Sequence, residues 1–153
     1  MQFDADQFRS LCAEHGLAVT HQRQVIYQAL MSMHDHPNPE VVYEKVRKLI
    51  PSISLATVYK NIKTFVDSGL LREVSLHHGP ARLETNLDPH HHLVCIQCKT
   101  IVDLDDGDLE PVRLKKKLPR GFSVQRYSVE VIGLCKHCST QSSTWSSAQS
   151  LCD

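Results

Sequence analysis

Four cysteines of this chain stand in two C-x-x-C pairs, Cys95 with Cys98 and Cys135 with Cys138. Zn²⁺ in a structural site takes four soft or borderline ligands in a tetrahedron, and one such turn presents two thiolates at the right separation, so two turns complete a set. Thirty-six residues lie between the pairs, which would make the metal a pin between two distant segments rather than the centre of a compact finger. The other reading of such thiols is a redox dithiol or a buried pair; tandem spacing favours Cys₄ zinc. Ten histidines form a second store of ligands, three of them consecutive from His90 to His92. Alternate residues of a strand share a face, so His90 and His92 are able to hold one ion while His91 points away. Glu84, Asp103 and His36 are further donors within reach in sequence. A mixed N/O set suits Fe²⁺, Mn²⁺ or Zn²⁺; the plainer reading is a solvated loop with ordinary surface charge. Cys12 and Cys152 stand alone and read as structural or incidental.

The elements that must position these residues follow from periodicity. Residues 4–15 space Phe8 and Leu11 as a helix that Gly16 can end. Thr20 caps a second helix to Met33, with Val25, Ile26, Ala29, Leu30 and Met33 on one face. His34 to Pro37 break it. Asn38-Pro39-Glu40 is a strong start signal for a third helix running to about Ile50, with Val42, Val46 and Leu49 inward. Pro51 stops it, and Ser54 opens a fourth carrying Val58, Ile62, Phe65 and Val66 on its core face until Gly69. The short connection between these last two predicts a helix-turn-helix. LREVSL and ARLETN then alternate like strands about His77-His78-Gly79-Pro80, and a hairpin in that place makes a winged helix.

After Leu87-Asp88-Pro89 the apolar runs HLVCI, TIVDL and FSVQRYSVEVIGLC predict a sheet, with one helix near Leu109 to Leu118. The expected fold class is α+β: an N-terminal winged-helix DNA-binding domain over residues 1–85, a hinge linker at 86–89, a small α/β domain with structural zinc over 90–138, and a Ser/Thr-rich mobile tail over 139–153.

Composition narrows the function only modestly. With 41% hydrophobic and 22% charged residues the chain is not disordered throughout. It has neither an apolar run of membrane-spanning length nor a secretory-type start, so a cytoplasmic location and no membrane partner are expected. Lys and Arg balance Asp and Glu at seventeen each, and residues 1–84 balance at nine each. A nucleic-acid surface must therefore come from local placement of Arg23, Lys60 and Lys63.

In the order HPNPEVVYEKV, SLATVYKNIKTFVDSGLL, HHHLVCIQC and GLCKHC, the chain resembles the ferric uptake regulator (Fur) family over about residues 10 to 138. The resemblance implies a homodimer that binds a double-stranded DNA operator. It implies a structural Zn²⁺ on Cys95, Cys98, Cys135 and Cys138. It also implies a regulatory Fe²⁺ or Mn²⁺ at the hinge on His36, Glu84, His90, His92 and Asp103. Tyr59, with Ala56 and Thr57 beside it, would lie in the DNA-facing helix. Asp103 in CKTIVDLD is similar to the peroxide-stress repressors (PerR), in which Fe²⁺ reacts with peroxide and a ligand histidine is oxidised. Against that branch, those repressors carry Asp where this chain has Glu84. Iron-sensing members often have a further metal site, but the matching positions here include Pro89 and Tyr127, which serve a metal poorly.

Peroxide sensing by a metal-dependent repressor is the expected function, with an iron-responsive repressor of iron uptake second. A non-haem iron enzyme or a metal-storage protein ranks lower. Neither of those needs a DNA-reading helix followed by a wing, and no catalytic motif is visible.

Overall fold

A computed structural model describes residues 4–33, 35–74, 81–113 and 115–140 of the chain. Two units divide between Leu87 and Asp88.

The first unit contains α1 (Ala5–Glu14), α2 (His21–Met31), α3 (Pro39–Val46), α4 (Leu55–Asp67) and an antiparallel pair, β1 (Arg72–Val74) with β2 (Arg82–Glu84). Every helix starts on a side-chain cap. Asp4 accepts from the backbone N–H of Asp6 at 2.9 Å, Thr20 from Arg23 at 3.3 Å, Asn38 from Val41 at 2.9 Å and Ser54 from Thr57 at 3.1 Å. Each cap satisfies a donor that the helix itself leaves unbonded. The buried stripes of the helices meet in one core that includes Phe8, Ile26, Leu30, Val42, Val46, Val58 and Phe65, with Leu83 of β2 closing it. Phe8, Tyr27 and Phe65 form an aromatic trio with centroids 5.0–6.5 Å apart. Cys12 is wholly buried in this core, a structural residue. Helices, turn and two-stranded hairpin make a winged helix; the hairpin tip at 75–80 lies outside the described residues.

Two expectations need correction in detail. The third helix ends at Val46 rather than near Ile50, in a turn where the N–H groups of Leu49 and Ile50 both donate to the Val46 carbonyl at 2.9 Å. Leu49 is thereby rotated outward and is 61% exposed, while Ile53 enters the core instead. The helix expected near Leu109 to Leu118 does not form among the described residues; a three-residue 3₁₀ turn at Asp106–Asp108 is the helical piece nearest before it. Pro111 falls within the segment and Pro119 just after it, and the adjacent like charges Lys115 to Lys117 add nothing to hold a helix against water.

The second unit is a three-stranded sheet of β3 (His90–Cys95), β4 (Ile101–Asp105) and β5 (Glu130–Gly133) in the order β4-β3-β5. The central strand is antiparallel to β4 and parallel to β5, with His92 opposite both Asp103 and Glu130. Of the apolar run from Phe122 to Cys135, only residues 130–133 form a strand, because only they lie alongside β3. A helical turn follows over 136–140, so Ser139 and Thr140 belong to ordered chain rather than the expected tail; residues 141–153, with Cys152, lie outside the described residues.

Phe65 is fully buried and touches the aromatic trio, so Phe65→Ala is expected to cost the first unit roughly 3–5 kcal/mol. Denaturant unfolding monitored by helical circular dichroism checks this. A loss below about 1 kcal/mol would place the stabilising core elsewhere.

Candidate metal centres and nucleic-acid interface

The strand pairing brings the four cysteines together. Cys95 ends β3 opposite Gly133 of β5, two residues before Cys135. The chain leaves Cys95 in a tight knuckle, where the backbone N–H of Lys99 donates to the Cys95 carbonyl at 3.0 Å and Lys99 takes φ 62°. That turn returns Cys98 beside its partner, and the helical turn after β5 does the same for Cys138. All four sulfur atoms lie within 4.8 Å of one another, with Cys98 and Cys135 at 3.7 Å. A zinc tetrahedron with Zn–S bonds of about 2.3 Å has S···S edges of roughly 3.8 Å, so the spacing fits zinc and is far too long for a disulfide. The backbone N–H of Cys135 points at the Cys95 sulfur from 3.4 Å. This donor and that of Cys98 lower the Cys95 thiol to about 6, whereas burial pushes Cys138 up to about 12. Cys95 is thus the thiol most readily ionised and Cys138 the least, and metal binding to the set requires both to lose their protons.

The His/carboxylate donors are prepared in each unit separately. In the first, Leu83 of β2 donates to the Pro37 carbonyl at 2.9 Å, which docks the strand on the break after α2. That contact sets His36, held at φ 46°, against Glu84: Nε2 lies 2.5 Å from the carboxylate, and both side chains are buried. The other Glu84 oxygen accepts from the Asn86 N–H at 2.5 Å. A non-glycine residue in the left-handed region and a buried imidazole–carboxylate pair are both costly, a combination found at sites that bind something.

In the second unit, β3 turns His90 and His92 to one face, and the register sets Asp103 directly across from His92. The Nε2 atoms of His90 and His92 are 3.1 Å apart, and Asp103 Oδ1 lies 3.8 and 3.9 Å from them. Two imidazoles bound side by side to one ion at about 2.1 Å would bring their nitrogens to roughly 3.0 Å. His90 Nδ1 donates to the Asp88 carbonyl at 2.8 Å, which fixes the tautomer with the Nε2 lone pair exposed for a ligand, as metal-binding histidines require. His91 faces the other way, its Nδ1 accepting from the Val129 N–H at 3.2 Å. This nitrogen and oxygen set fits a regulatory divalent ion, as the all-sulfur set fits zinc. Pro89 and Tyr127 line a cavity of about 390 Å³ with His91 and Glu110, and no third set of three or more ligating side chains gathers among the described residues.

The expected DNA-contacting residues fall into two groups. Ala56, Tyr59, Lys60 and Lys63 are exposed on α4, opposite the buried Val58, Ile62 and Phe65. Lys63 pairs loosely with Asp67 at 3.2 Å, both side chains in solvent. Thr57 and Arg23 also hydrogen-bond within the fold. The Thr57 hydroxyl lies 2.8 Å from the capping Ser54 hydroxyl. The Arg23 guanidinium donates to the Ala18 carbonyl at 2.6 Å and to Asn61 Oδ1 at 3.3 Å, and the Asn61 amide donates to the Thr57 carbonyl at 2.8 Å. Arg23 therefore ties the start of α2 to α4. Sequence reasoning missed Asn61 in this chain, although its place one turn after Thr57 was a signal. It also missed Glu40, read only as a helix-start residue, whose carboxylate accepts from the Tyr59 hydroxyl.

The model of the ferric uptake regulator family matches residues 14–132. The peroxide-responsive repressor PerR of Staphylococcus aureus is 33% identical over 123 residues, covering 80% of this chain and 83% of the relative. Among solved structures, the Campylobacter jejuni peroxide stress regulator is similar with a TM-score of 0.62 and 27% identity, covering 90% of this chain and 100% of that one. The ferric uptake regulator of Pseudomonas aeruginosa with manganese gives 0.67 and 27% identity, covering 84% and 97%.

Replacing one thiolate should strip the zinc. Cys95→Ser is expected to lower zinc below one ion per chain and to open the second unit to proteolysis, while Cys12→Ala, outside the cluster, keeps its zinc. Metal analysis after gel filtration with limited proteolysis checks both, and a zinc-free Cys95→Ser protein with an intact second unit would refute the staple.

Proposed function

The chain belongs to the ferric uptake regulator family, and from that premise we propose that it is a peroxide-responsive, metal-dependent repressor in which an exchangeable ion joins the two units and sets DNA binding. Members of this family are metal-dependent transcriptional regulators rather than enzymes, which leaves the regulatory stimulus as the open question. The observation that carries the reading is the pair of prepared donor sets, His36 with Glu84 in one unit and His90, His92 and Asp103 in the other. In the proposed closed state these five side chains share one Fe²⁺ or Mn²⁺. An ion that binds this state more tightly than the open one shifts the population toward it, and operator DNA then tightens metal binding by the same factor.

The chain's own residues do the remaining work. The exposed face of α4 enters the major groove, Lys60 and Lys63 neutralise phosphates, and the wing lies alongside. A second copy of the chain covers the exposed apolar side chains of the sheet, Leu93, Val102, Val131 and Ile132, giving a homodimer with two reading heads. No helix among the described residues is long and apolar enough to cross a membrane, and a cytoplasmic location is part of the proposal. His36, Glu84, His90, His92 and Asp103 would hold the Fe²⁺, which would supply redox chemistry toward peroxide. The ligand imidazoles would be the nearest oxidisable groups: overall, peroxide would give one oxygen atom to the ring of His36 or His90 and leave as water, the ring being oxidised by two electrons. An oxygenated imidazole ligates poorly, so the closed state would lose its support.

The iron-responsive reading is favoured by one residue, Glu84. Its carboxylate is a methylene longer than the Asp of the peroxide-stress repressors, and both of its oxygens are already engaged within the unit. Such a ligand would complete the coordination shell and keep peroxide off the iron.

Lys63→Ala should weaken binding about equally to a selected duplex and to random duplex, and lower the slope of log affinity against log salt by roughly 0.9. Fluorescence anisotropy at several salt concentrations measures this; an unchanged slope puts Lys63 off the DNA.

The function itself is tested on duplexes enriched from a randomised library, with Fe²⁺-loaded or Mn²⁺-loaded protein before and after peroxide. Peroxide should abolish binding only in the Fe²⁺ form, in step with a mass gain of one oxygen on the peptide containing His36 or His90. If the Fe²⁺ form withstands low peroxide while Glu84→Asp becomes sensitive, the protein senses iron instead.

A further inference from the structure

Tyr59 does not stand alone on the exposed face of α4. Its hydroxyl donates to the carboxylate of Glu40, nineteen residues earlier in the chain, so the bond spans the two helices of the helix-turn-helix. Glu40 is the second residue of α3, immediately after Pro39 and the Asn38 cap, where the positive end of the helix favours a carboxylate. The bond holds the Glu40 carboxyl below the usual range and the Tyr59 phenol above it, both by stabilising the anionic acid with a neutral donor. Tyr59 remains 42% exposed, so its ring and the far side of its oxygen are still presented outward.

A phenol has one proton to donate and lone pairs to accept with. With the proton committed to Glu40, the outward side of the Tyr59 oxygen offers lone pairs only. In the major groove the acceptors N7 and O6 of guanine, N7 of adenine and O4 of thymine would then face another acceptor. The amino groups N6 of adenine and N4 of cytosine would meet a partner. A phosphate oxygen is disfavoured twice, by the missing donor and by the Glu40 charge.

We propose that Glu40 is a specificity-determining residue: by taking the Tyr59 proton it makes this tyrosine an acceptor that selects an exocyclic amino group, of adenine or cytosine, at one base position in each half-site. Glu40 acts through Tyr59 as a positioning residue and does not itself touch the base. The inference rests on the proposed DNA-binding role of α4.

The test is selection from a randomised double-stranded library by metal-loaded wild type, E40A, E40Q, Y59F and E40A/Y59F, followed by affinities for the selected duplex with all four bases at each position. Wild type should prefer adenine or cytosine at one position per half-site by roughly 2- to 10-fold, the worth of one neutral hydrogen bond. E40A and Y59F should both erase that preference at the same position, and the double variant should lose no more than Y59F alone. E40Q keeps a carbonyl acceptor at the same reach and should retain most of it. Metal content and gel filtration establish that each variant is folded, and E40Q and Y59F leave the start of α3 intact should E40A fail. The proposal is overturned if E40A weakens selected and random duplex alike with base preferences unchanged, or if E40A and Y59F alter different positions. A wild type that enriches no sequence in any metal state overturns the DNA-binding reading, and this inference with it, whereas enrichment with an unmoved position in E40A and Y59F overturns this inference alone.

Discussion

The second unit is held by metal-ligand chemistry because it has almost no core to hold it. Among the described residues, fifteen apolar side chains are buried in the core of the first unit, but in the second only Val94, Cys95, Ile101 and Cys138 are, and two of those are the cysteines. A three-stranded sheet of this size cannot offset the chain entropy of ordering some fifty residues by burial alone. Four thiolates on one ion tie the end of β3 to the segment after β5, and the binding free energy becomes folding free energy. Whatever β3 presents on its other residues is positioned through that staple. His90 and His92 are on the same strand as Cys95, so a metal held by the four cysteines would also fix the strand that presents these two imidazoles.

The two metal sets differ in how much of them was legible in the sequence. A C-x-x-C pair is a local object, and two of them announce a tetrahedron whatever lies between. His90 and His92 were legible for the same reason, since alternation in a strand is local. Asp103 became a partner of His92 only through the antiparallel register across the knuckle, and His36 met Glu84 only because Leu83 bonds to the Pro37 carbonyl. Spacing offered these as candidates, and the family resemblance selected them. In the helices, Thr20, Asn38 and Ser54 marked three starts and the spacing of Phe8 and Leu11 placed the first helix, since each signal lies close to what it controls. Where the sequence reading failed, apolar spacing was carried past the end of an element: α3 stops at Val46 and leaves Leu49 exposed, and the segment around Lys115 to Lys117 lies between prolines with no strand or helix to join. Arg23 was offered for its charge and Thr57 by the family resemblance. Their partners, Ala18, Asn61 and Ser54, give both side chains a part in holding α4 that the sequence did not show.

This division of labour on α4 is what the proposed DNA-reading role would require. A side chain that contacts bases with useful discrimination must be held to within a fraction of an ångström, and an exposed helix on a three-turn scaffold is not stiff enough by itself. Arg23 and Asn61 brace α4 from the α2 side, and Glu40 braces it from α3, so the exposed stripe of Tyr59, Lys60 and Lys63 is fixed by neighbours on two helices. Polar residues near the stripe thereby divide into those that support it and those that are presented.

The same reasoning bears on Glu84. A carboxylate that is buried, bonded to His36 through one oxygen and to the Asn86 N–H through the other, has its orientation set before any ion arrives. Preorganisation raises affinity by removing the ordering cost from the binding step. It also limits how far the carboxylate can swing to vacate a coordination position, and reaction with peroxide requires that peroxide reach the metal. On the iron-responsive reading, a shorter side chain at this position would leave a gap for water or peroxide that the longer Glu84 would close with its own oxygen. On the proposed function, Glu84 is the donor whose length separates the two readings, since an imidazole or an aspartate at the other positions suits Fe²⁺ or Mn²⁺ under either of them.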